Sequence, residues 1–160
     1  NHCDRVRMAN LAQTINVLQA VILTDEEKMI VTPTYHVMEM FNVHQDATML
    51  PVEVKSSDYV FNNQKLQAIS ASASRDANGV THVSLVNIDA NKAQDISLDL
   101  RGSKFSSVTG KILASPKIQD HNTFENPDKM KPAPFKGITL SGNTLKGKIP
   151  PFSVVVLELK

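Results

Sequence analysis

The polar residues that could bind a metal or act as nucleophiles are not spaced to act together in this sequence. His2, Cys3 and Asp4 are all potential metal ligands, but three consecutive side chains cannot easily converge on one ion. The sequence contains no glycine-rich phosphate loop, no nucleophile elbow and no paired-cysteine motif. We therefore predict no metal site, no cofactor and no catalytic residue of these kinds in the chain.

The other histidines are expected to have structural roles. His44 falls on the apolar face of a predicted helix, where we expect a half-buried, hydrogen-bonded packing residue. His36 and His82 are predicted to face solvent, on a helix and on a strand. His121 opens a proline-rich segment, where it is expected to stabilise a turn.

Composition and charge exclude several classes of protein. The 160 residues are enough for one domain, or for one domain with an appendage. The formal net charge of +1 gives no electrostatic reason to expect a nucleic acid or an anionic membrane as partner. The single cysteine, Cys3, cannot form an internal disulfide, and no segment is long and apolar enough to span a bilayer. These features predict no particular cellular location.

The most apolar stretch lies near the first residue, and its pattern fits two structures. Its large apolar residues recur at alternating spacings of three and four, which favours an amphipathic helix. A strand buried in a parallel sheet would also read as a nearly continuous apolar run. Domains seldom begin with an uncapped hydrophobic run, so we expect this stretch to be the edge of a larger fold that lies upstream. The residues concerned are Met8, Leu11, Ile15, Leu18 and Ile22.

A hairpin and a helix are predicted next. Two β-rich runs, residues 17–23 and 28–32, flank a short polar loop, which indicates a hairpin. Thr32 followed by Pro33 is typical of a helix start, because a hydroxyl can cap the first turn and proline fits the first helical position. We predict a helix over residues 33–45 with one broad apolar face.

From about Met49 onwards the pattern changes to short β-rich runs separated by turns. An Asn-Gly pair at residues 78–79 is a strong hairpin signal. Many strands without intervening helices indicate a β-sandwich. Residues 115–135, which include four prolines, are predicted to form a long surface loop. The predicted strands are 66–74, 80–88, 94–100, 108–114, 138–140, 144–149 and 152–159, and the last is expected to be buried on both faces.

Several segments, taken in order, resemble the last part of glycoside hydrolase family 51, the α-L-arabinofuranosidases. The matching pieces run from end to end of the chain in the family's order and without a large gap. Members of that family carry a (β/α)8 barrel followed by a β-sandwich. The pieces are residues 4–13 (DRVRMANLAQ), 16–19 (NVLQ), 32–37 (TPTYHV), Met40-Phe41, 121–127 (HNTFENP) and 150–159 (PPFSVVVLEL).

The resemblance implies a mainly β fold, with a jelly-roll-like C-terminal β-sandwich preceded by a remnant of a (β/α)8 barrel. Residues 1–47 would be the barrel remnant, with a last strand near residues 6–12, a hairpin-like loop and an outer helix. Residues 48–160 would be the sandwich. Gln13 would then lie at the carboxyl end of the strand, which is where barrel active sites are placed. In the resembled family a glutamine at this point hydrogen-bonds the arabinose, so the resemblance assigns Gln13 as a substrate-binding residue.

The resemblance also bears on catalysis. A retaining glycosidase needs two carboxyl groups about 5 Å apart, and in the resembled family these are glutamates on earlier barrel strands, one of them after an asparagine. None of the glutamates here follows asparagine or ends a barrel-like strand, so both catalytic residues are expected upstream and the chain alone is expected to be inactive. The glutamates present are Glu26, Glu27, Glu39, Glu53, Glu125 and Glu158.

Two functions stay open at this point. In the first, the chain is the C-terminal part of an α-L-arabinofuranosidase that hydrolyses terminal α-L-arabinofuranosyl residues from polysaccharides or oligosaccharides with retention, and the sandwich braces the barrel. The partner would be an arabinose-containing glycan bound through the barrel, and the full-length protein would be a homo-oligomer. The alternative is a stand-alone β-sandwich that binds carbohydrate or serves as an interaction module. Carbohydrate-binding modules commonly stack sugars on exposed aromatic rings, and the absence of Trp, with only two Tyr, counts against that alternative.

Overall fold

The protein is mainly β in the computed structural model, which describes residues 2–6, 8–11 and 13–160. A single 3-10 turn, Asn42–His44, continues the α-helix. Among the described residues, no helix is long and apolar enough to cross a membrane. In chain order the elements are β1 (Ile22–Asp25), β2 (Lys28–Val31), α1 (Pro33–Phe41), β3 (Thr48–Leu50), β4 (Asp58–Phe61), β5 (Gln64–Gln67), β6 (Ile69–Arg75), β7 (Thr81–Asn87), β8 (Gln94–Asp99), β9 (Val108–Ala114), β10 (Ala133–Pro134), β11 (Ile138–Ser141), β12 (Thr144–Ile149) and β13 (Ser153–Leu159).

The segment predicted to be the last barrel strand, residues 6–12, is irregular wherever the structure describes it. Residues 6 and 8–11 form neither strand nor helix, and Met8 is 77% exposed. A parallel strand needs a neighbouring strand for its backbone hydrogen bonds, and within the described part of the chain no strand pairs with these residues. Arg7 and Ala12 belong to the same prediction and lie outside the described residues, as does Asn1.

The predicted first hairpin is present, but it starts later in the chain and has a tighter turn. Strands β1 and β2 pair antiparallel along their whole length. Their connection is the two-residue turn Glu26-Glu27, because Thr24 and Asp25 belong to β1. Residues 17–21, predicted to open the first strand, form a loop instead, with a hydrogen bond of 2.9 Å from the N–H of Ala20 to the carbonyl of Val17.

Helix α1 begins where the sequence predicts, and its α-helical part ends before the predicted residue 45. The hydroxyl oxygen of Thr32 accepts a hydrogen bond from the N–H of Tyr35 at 3.4 Å, and Pro33 occupies the first helical position. The α-helix ends at Phe41 and the 3-10 turn continues to His44, so the predicted end at residue 45 is close to the observed one. The helix covers the outer face of the larger sheet through an apolar cluster of Met40, Leu113, Met130 and Val156.

The larger sheet has the strand order β10-β9-β13-β7-β6-β3, and every neighbouring pair is antiparallel. Strand β13 lies inside it, and its alternate side chains point to opposite faces. Val155 and Leu157 are fully buried in the sandwich core, whereas Val156 is buried on the other face in the cluster beneath α1. The prediction that the last strand is buried on both faces is confirmed.

The smaller sheet has the order β11-β12-β8 and covers the inner face of the larger one. Leu145 and Ile149 of β12 are fully buried in one cluster with Leu85 of β7 and Leu157 of β13. Two antiparallel sheets around a common apolar core are a β-sandwich. The mainly β prediction is confirmed at this level.

The Asn-Gly signal located the β6–β7 hairpin correctly, whereas the β4–β5 hairpin was not predicted. Strands β6 and β7 pair around a turn in which Gly79 takes φ +81°, as the Asn-Gly pair predicts. The strand predicted over residues 66–74 is wrong at its start, because residues 66–67 pair with β4 in a separate hairpin and the sheet strand begins at Ile69. The predicted loop 115–135 is largely irregular but contains the short edge strand β10.

Candidate functional site

Gln13, the predicted substrate-binding residue, lies exposed in a loop before the first hairpin, and we name residues 13–21 the Gln13 loop. The backbone of Gln13 is in the left-handed region at φ +46°, as are those of Asn16 at +53° and Gln19 at +60°. Such conformations are disfavoured for residues other than glycine, least so for asparagine, and they cluster at functional sites. A loop with three of them needs contacts that hold it in place.

Backbone hydrogen bonds tie the Gln13 loop to strand β1. The carbonyl of Thr14 accepts hydrogen bonds from the N–H groups of Val21 and Ile22, each at 3.1 Å. The N–H of Asn16 donates to the carbonyl of Ile22 at 3.2 Å. Because Thr14 directly follows Gln13, these bonds anchor the backbone on one side of the candidate residue.

A pair of side chains adds a second connection between the loop and β1. The amide nitrogen Nδ2 of Asn16 donates to Oγ1 of Thr24 at 2.8 Å, and the backbone N–H of Thr24 donates to Oδ1 of Asn16 at 2.8 Å. Both distances are typical of good hydrogen bonds. Asn16 therefore uses the donor and the acceptor of its amide on a single residue of the strand, and we name this contact the Asn16–Thr24 pair.

The far end of the Gln13 loop is held by the helix cap. The hydroxyl of Thr32 donates to the carbonyl of Ala20 at 2.8 Å, and the N–H of Thr32 donates to the carbonyl of Val21 at 3.1 Å. Ala20 is 2% exposed, so it is a buried anchor for the loop. The loop, the first hairpin and α1 thus meet at one threonine.

The proline-rich loop is joined to the first hairpin by Asn122, a residue that the sequence did not single out. Its Nδ2 donates to the carbonyl of Val31 at 2.9 Å and to that of Met130 at 3.0 Å, and its Oδ1 accepts from the N–H of Met130 at 2.6 Å. The side chain is buried, with 3% of the residue exposed. The sequence signal that could have found Asn122 is its place in an irregular segment. Backbone groups there lack strand partners, so a polar side chain can bond to them instead.

A second polar cluster lies on the outer face of the larger sheet. The ring of His44 bridges two serines, with Nδ1 2.7 Å from Oγ of Ser74 and Nε2 2.5 Å from Oγ of Ser84. Burial, and then the charge of nearby His82, lower the pKa of His44, so the neutral ring is favoured. Both serines are buried, which keeps their hydroxyls away from any substrate. The prediction of a hydrogen-bonded packing role for His44 is confirmed.

The predicted exposure of His82 is wrong. The residue is 6% exposed, its Nε2 lies 3.5 Å from Oδ2 of Asp76, and its Nδ1 has no hydrogen-bond partner in the described part of the chain. Burial alone would raise the pKa of Asp76, but hydrogen bonds from the N–H groups of Val80 and Asn78, together with His82, lower it. His82 is buried because α1 and the turn after it cover a sheet face that strand alternation alone would leave open.

The predicted exposure of His36 is also wrong, whereas the contact of His121 fits its expected role in stabilising a turn. The side chain of His36 is 12% exposed, and its Nδ1 lies 3.4 Å from the carboxylate of Glu39. His121 is exposed, and its Nδ1 lies 2.7 Å from the carbonyl of Gln119, a contact that stabilises the local turn.

A cleft of about 600 Å³ lies between α1, the strands β9 and β13, and the end of the proline-rich loop. Its walls carry groups of both charge signs, and some of these are paired within the cleft, His36 with Glu39 and Lys131 with Asp128 at 3.3 Å. No Phe, Tyr or Trp is among the residues that line it. Mixed charges without an aromatic ring among the lining residues give the cleft no defined ligand preference.

The acidic residues do not form a catalytic or metal-binding group in the described ranges. Hydrogen bonds from its own backbone N–H and from Thr123 lower the pKa of Glu125, whereas a general acid needs a raised pKa. Within residues 2–6, 8–11 and 13–160, no group of three or more His, Cys, Asp and Glu side chains could hold a metal ion. Cys3, from the consecutive trio at the start, is exposed with its sulfur 3.6 Å from that of Met49.

Comparison with known proteins gives one consistent result. The family profile described as the α-L-arabinofuranosidase C-terminal domain matches residues 1–153. An intracellular exo-α-L-arabinofuranosidase of Bacteroides ovatus is 45% identical over 160 residues, which are 99% of this chain and 31% of that protein. The crystal structure of the family 51 arabinofuranosidase from Xanthomonas axonopodis pv. citri matches 99% of this chain and 32% of its own, with a TM-score of 0.96 and 40% identity.

A more distant structure agrees with these two. The arabinose complex of the α-L-arabinofuranosidase from Thermotoga maritima matches 98% of this chain and 34% of its own, with a TM-score of 0.84 and 25% identity. The chain therefore spans about a third of the length of the relatives that it matches. The profile match covers nearly the whole chain, and the chain belongs to the family of α-L-arabinofuranosidase C-terminal domains.

Proposed function

We propose that the chain is the C-terminal part of a family 51 glycoside hydrolase that releases terminal α-L-arabinofuranosyl residues from arabinose-containing glycans with retention. The observation that carries this proposal is the end-to-end structural similarity to the Xanthomonas arabinofuranosidase. Retention needs a carboxylate nucleophile and a carboxylic acid about 5 Å apart. In the proposal both are glutamates upstream of this chain, because the glutamates described here lie dispersed on a turn, a helix, irregular segments and one strand.

We propose further that residues 1–47 complete the catalytic barrel and that residues 48–160 form a jelly-roll-like sandwich that braces it. Large exposed apolar side chains near the start of the chain, such as Met8 at 77%, support this division, because a barrel would bury them. The two parts are joined by the Met40 cluster and by the hydrogen bonds of Asn122. In the proposal these contacts fix the first hairpin, and with it the Gln13 loop, in position relative to the sandwich.

In this proposal Gln13 contacts the arabinose. Its amide can donate and accept hydrogen bonds, and no hydrogen bond to it is present within the described part of the chain. Such a contact strengthens as the sugar approaches the oxocarbenium-like transition state. Gln13→Ala in the full-length enzyme would leave a sugar hydroxyl unpaired, which costs about 1–3 kcal/mol, or roughly a 5- to 150-fold loss of kcat/KM. Gln13→Asn is the matched control, because asparagine tolerates the left-handed backbone and keeps an amide.

The test of the overall proposal compares the 160-residue chain with the full-length protein. We expect the full-length protein to hydrolyse an aryl α-L-arabinofuranoside and the chain alone to release no more product than a blank preparation. The stereochemistry of the first product, followed by NMR, should show retention. Turnover by the chain alone, or inversion by the full-length protein, would contradict the proposal.

A second candidate function is a stand-alone carbohydrate-binding module, and one observation favours it. In the hairpin of β4 and β5, Tyr59 and Phe61 lie on the same face, and Leu66 is paired opposite Tyr59. Phe61 is 64% exposed and Leu66 is 63% exposed, so this face could stack against a sugar ring. Affinity electrophoresis of the chain in arabinan, with Phe61→Ala as the comparison, tests it. Equal migration with and without arabinan removes this candidate.

We also propose that the full-length protein is a homo-oligomer. Met29 on the first hairpin and Met38 on α1 support this, because they are 65% and 52% exposed and methionine is common at adaptable contact surfaces. Light scattering coupled to size exclusion gives the mass of the full-length protein in solution. A monomeric mass across the concentrations tested would contradict the proposal.

A further inference from the structure

The Gln13 loop is held by polar contacts more than by packing. Leu18 is 94% exposed and Ile15 is 50% exposed, so neither large apolar side chain is buried in the described structure. Its three left-handed residues hold backbone conformations that are disfavoured for residues other than glycine, and such conformations persist only where the surroundings over-determine them. The contacts that determine this loop are therefore mainly the hydrogen bonds to β1 and to the helix cap, together with the burial of Ala20 at its far end.

The Asn16–Thr24 pair is the contact among these in which two side chains bond to each other. It makes two hydrogen bonds of 2.8 Å between one amide and one residue of β1, so it constrains both the distance and the orientation of the loop. Asparagine also accepts the left-handed backbone at its own position more readily than most residues. Because Asn16 is exposed, each bond replaces a bond to water and contributes little to global stability. An exposed contact with two defined hydrogen bonds can fix the orientation of the loop while adding little to global stability.

We infer that Asn16 and Thr24 are positioning residues for Gln13, an inference that rests on the proposed contact of Gln13 with arabinose. The pair holds the loop against β1. The carbonyl of Thr14, which accepts two backbone hydrogen bonds, fixes the position of the backbone next to Gln13. The amide of Gln13 is thereby placed before the sugar binds. Misplacement of a substrate-binding group by about 1 Å can cost on the order of a hundredfold in rate.

The experiment uses the full-length enzyme and an aryl α-L-arabinofuranoside. Asn16→Ala removes both hydrogen bonds of the pair, whereas Thr24→Val removes only the one to the hydroxyl, because the other uses the backbone N–H of Thr24. We expect roughly a tenfold loss of kcat/KM for Asn16→Ala and a smaller loss for Thr24→Val, both with little change in Tm. Thr24→Ser keeps the hydroxyl and should restore activity to within about twofold of the parent. Gln19→Ala is the matched control, because Gln19 is also left-handed and exposed but no side-chain hydrogen bond is described for it, and it should leave kcat/KM unchanged.

A double-mutant cycle separates positioning from an independent effect. If Asn16 acts through Gln13, Asn16→Ala should lower kcat/KM in the parent but have almost no further effect in the Gln13→Ala background. Additive losses, or failure of Thr24→Ser to restore activity, would overturn the inference. Should Asn16→Ala not fold, Thr24→Val takes its place in the cycle.

The failure of this inference can be told apart from the failure of the proposed function. A large loss in Gln13→Ala with full activity in Asn16→Ala and Thr24→Val overturns only the positioning role. Full activity in a folded Gln13→Ala enzyme overturns the substrate contact, and the positioning role falls with it.

Discussion

The Gln13 loop and the centre of the sandwich are held by different physical effects. In the loop, large side chains such as Leu18 are exposed, and the backbone is held by hydrogen bonds between short polar groups. In the sandwich, Leu157 is 0% exposed and lies in an apolar cluster shared by both sheets. The comparison suggests that mutation in the sandwich changes stability, whereas mutation in the loop changes the orientation of a few groups.

The largest effect on stability is expected for Leu157→Ala in β13. The residue is 0% exposed, so truncation removes apolar contacts and leaves a cavity, which costs about 2–5 kcal/mol. The free energy of unfolding of the chain, measured by urea denaturation, checks this value. Leu18→Ala is the matched control, because the same side chain at 94% exposure should change stability by less than about 0.5 kcal/mol. Equal losses would mean that the Gln13 loop is packed in solution.

A smaller but clear effect is expected for Asn122→Ala. The change leaves the carbonyls of Val31 and Met130 and the N–H of Met130 without their side-chain partner in a buried place, which costs roughly 2–3 kcal/mol. Asn126→Ala in the same loop is the control, because that side chain is exposed. Hydrogen exchange of Met130 should accelerate in Asn122→Ala only. Unchanged exchange would show that the proline-rich loop is held to the hairpin in another way.

The smallest effect is a pH dependence that comes from His44. Since its pKa is lowered in the folded state, the unfolded chain binds more protons between the two pKa values, and the free energy of unfolding falls as the pH drops below about 6.5. Above the pKa of the unfolded state this contribution is constant. His44→Gln keeps a polar side chain without the titration, so its stability should fall less steeply between pH 7 and pH 5.

The charged neighbours of His44 bear on how this slope is interpreted. His82 on β7 and Asp76 on the turn before it remain in both proteins, so the difference between the two slopes reports His44 together with its interaction with His82. Denaturant unfolding at several pH values gives each slope. Parallel slopes for the parent and His44→Gln would contradict a buried, neutral His44.

Family membership and the location of the candidate site followed from short patterns, but the contacts that build the site did not. Gln13 was identified by its place in a family-like segment, and its role in substrate binding remains a proposal. Asn122 received no role from the sequence, because its partners at residues 31 and 130 are distant in the chain and are not marked by any local pattern. Thr24 was assigned to a polar loop, whereas β1 extends through it and presents its hydroxyl to Asn16.

The sequence by itself determined the features that depend on neighbouring residues. Thr32 and Pro33 define the start of α1, Asn78 and Gly79 define a turn, and the apolar run at residues 152–159 predicts a strand buried on both faces. These signals are local, because capping, a left-handed glycine and side-chain alternation act within a few residues.

Only the tertiary structure decided which faces are covered and which runs remain strands. His82 follows the alternation of a half-exposed strand, yet it is buried because the helix lies over that face of the sheet. Residues 66–67 continue an apparent strand in the sequence, but they pair with β4 and leave the sheet to begin at Ile69. Residues 6 and 8–11 belong to the strand that the family resemblance implies, but they have no strand partner among the described residues. A strand and a buried face exist only where another element supplies hydrogen bonds and apolar contacts, and those partners are distant in the sequence.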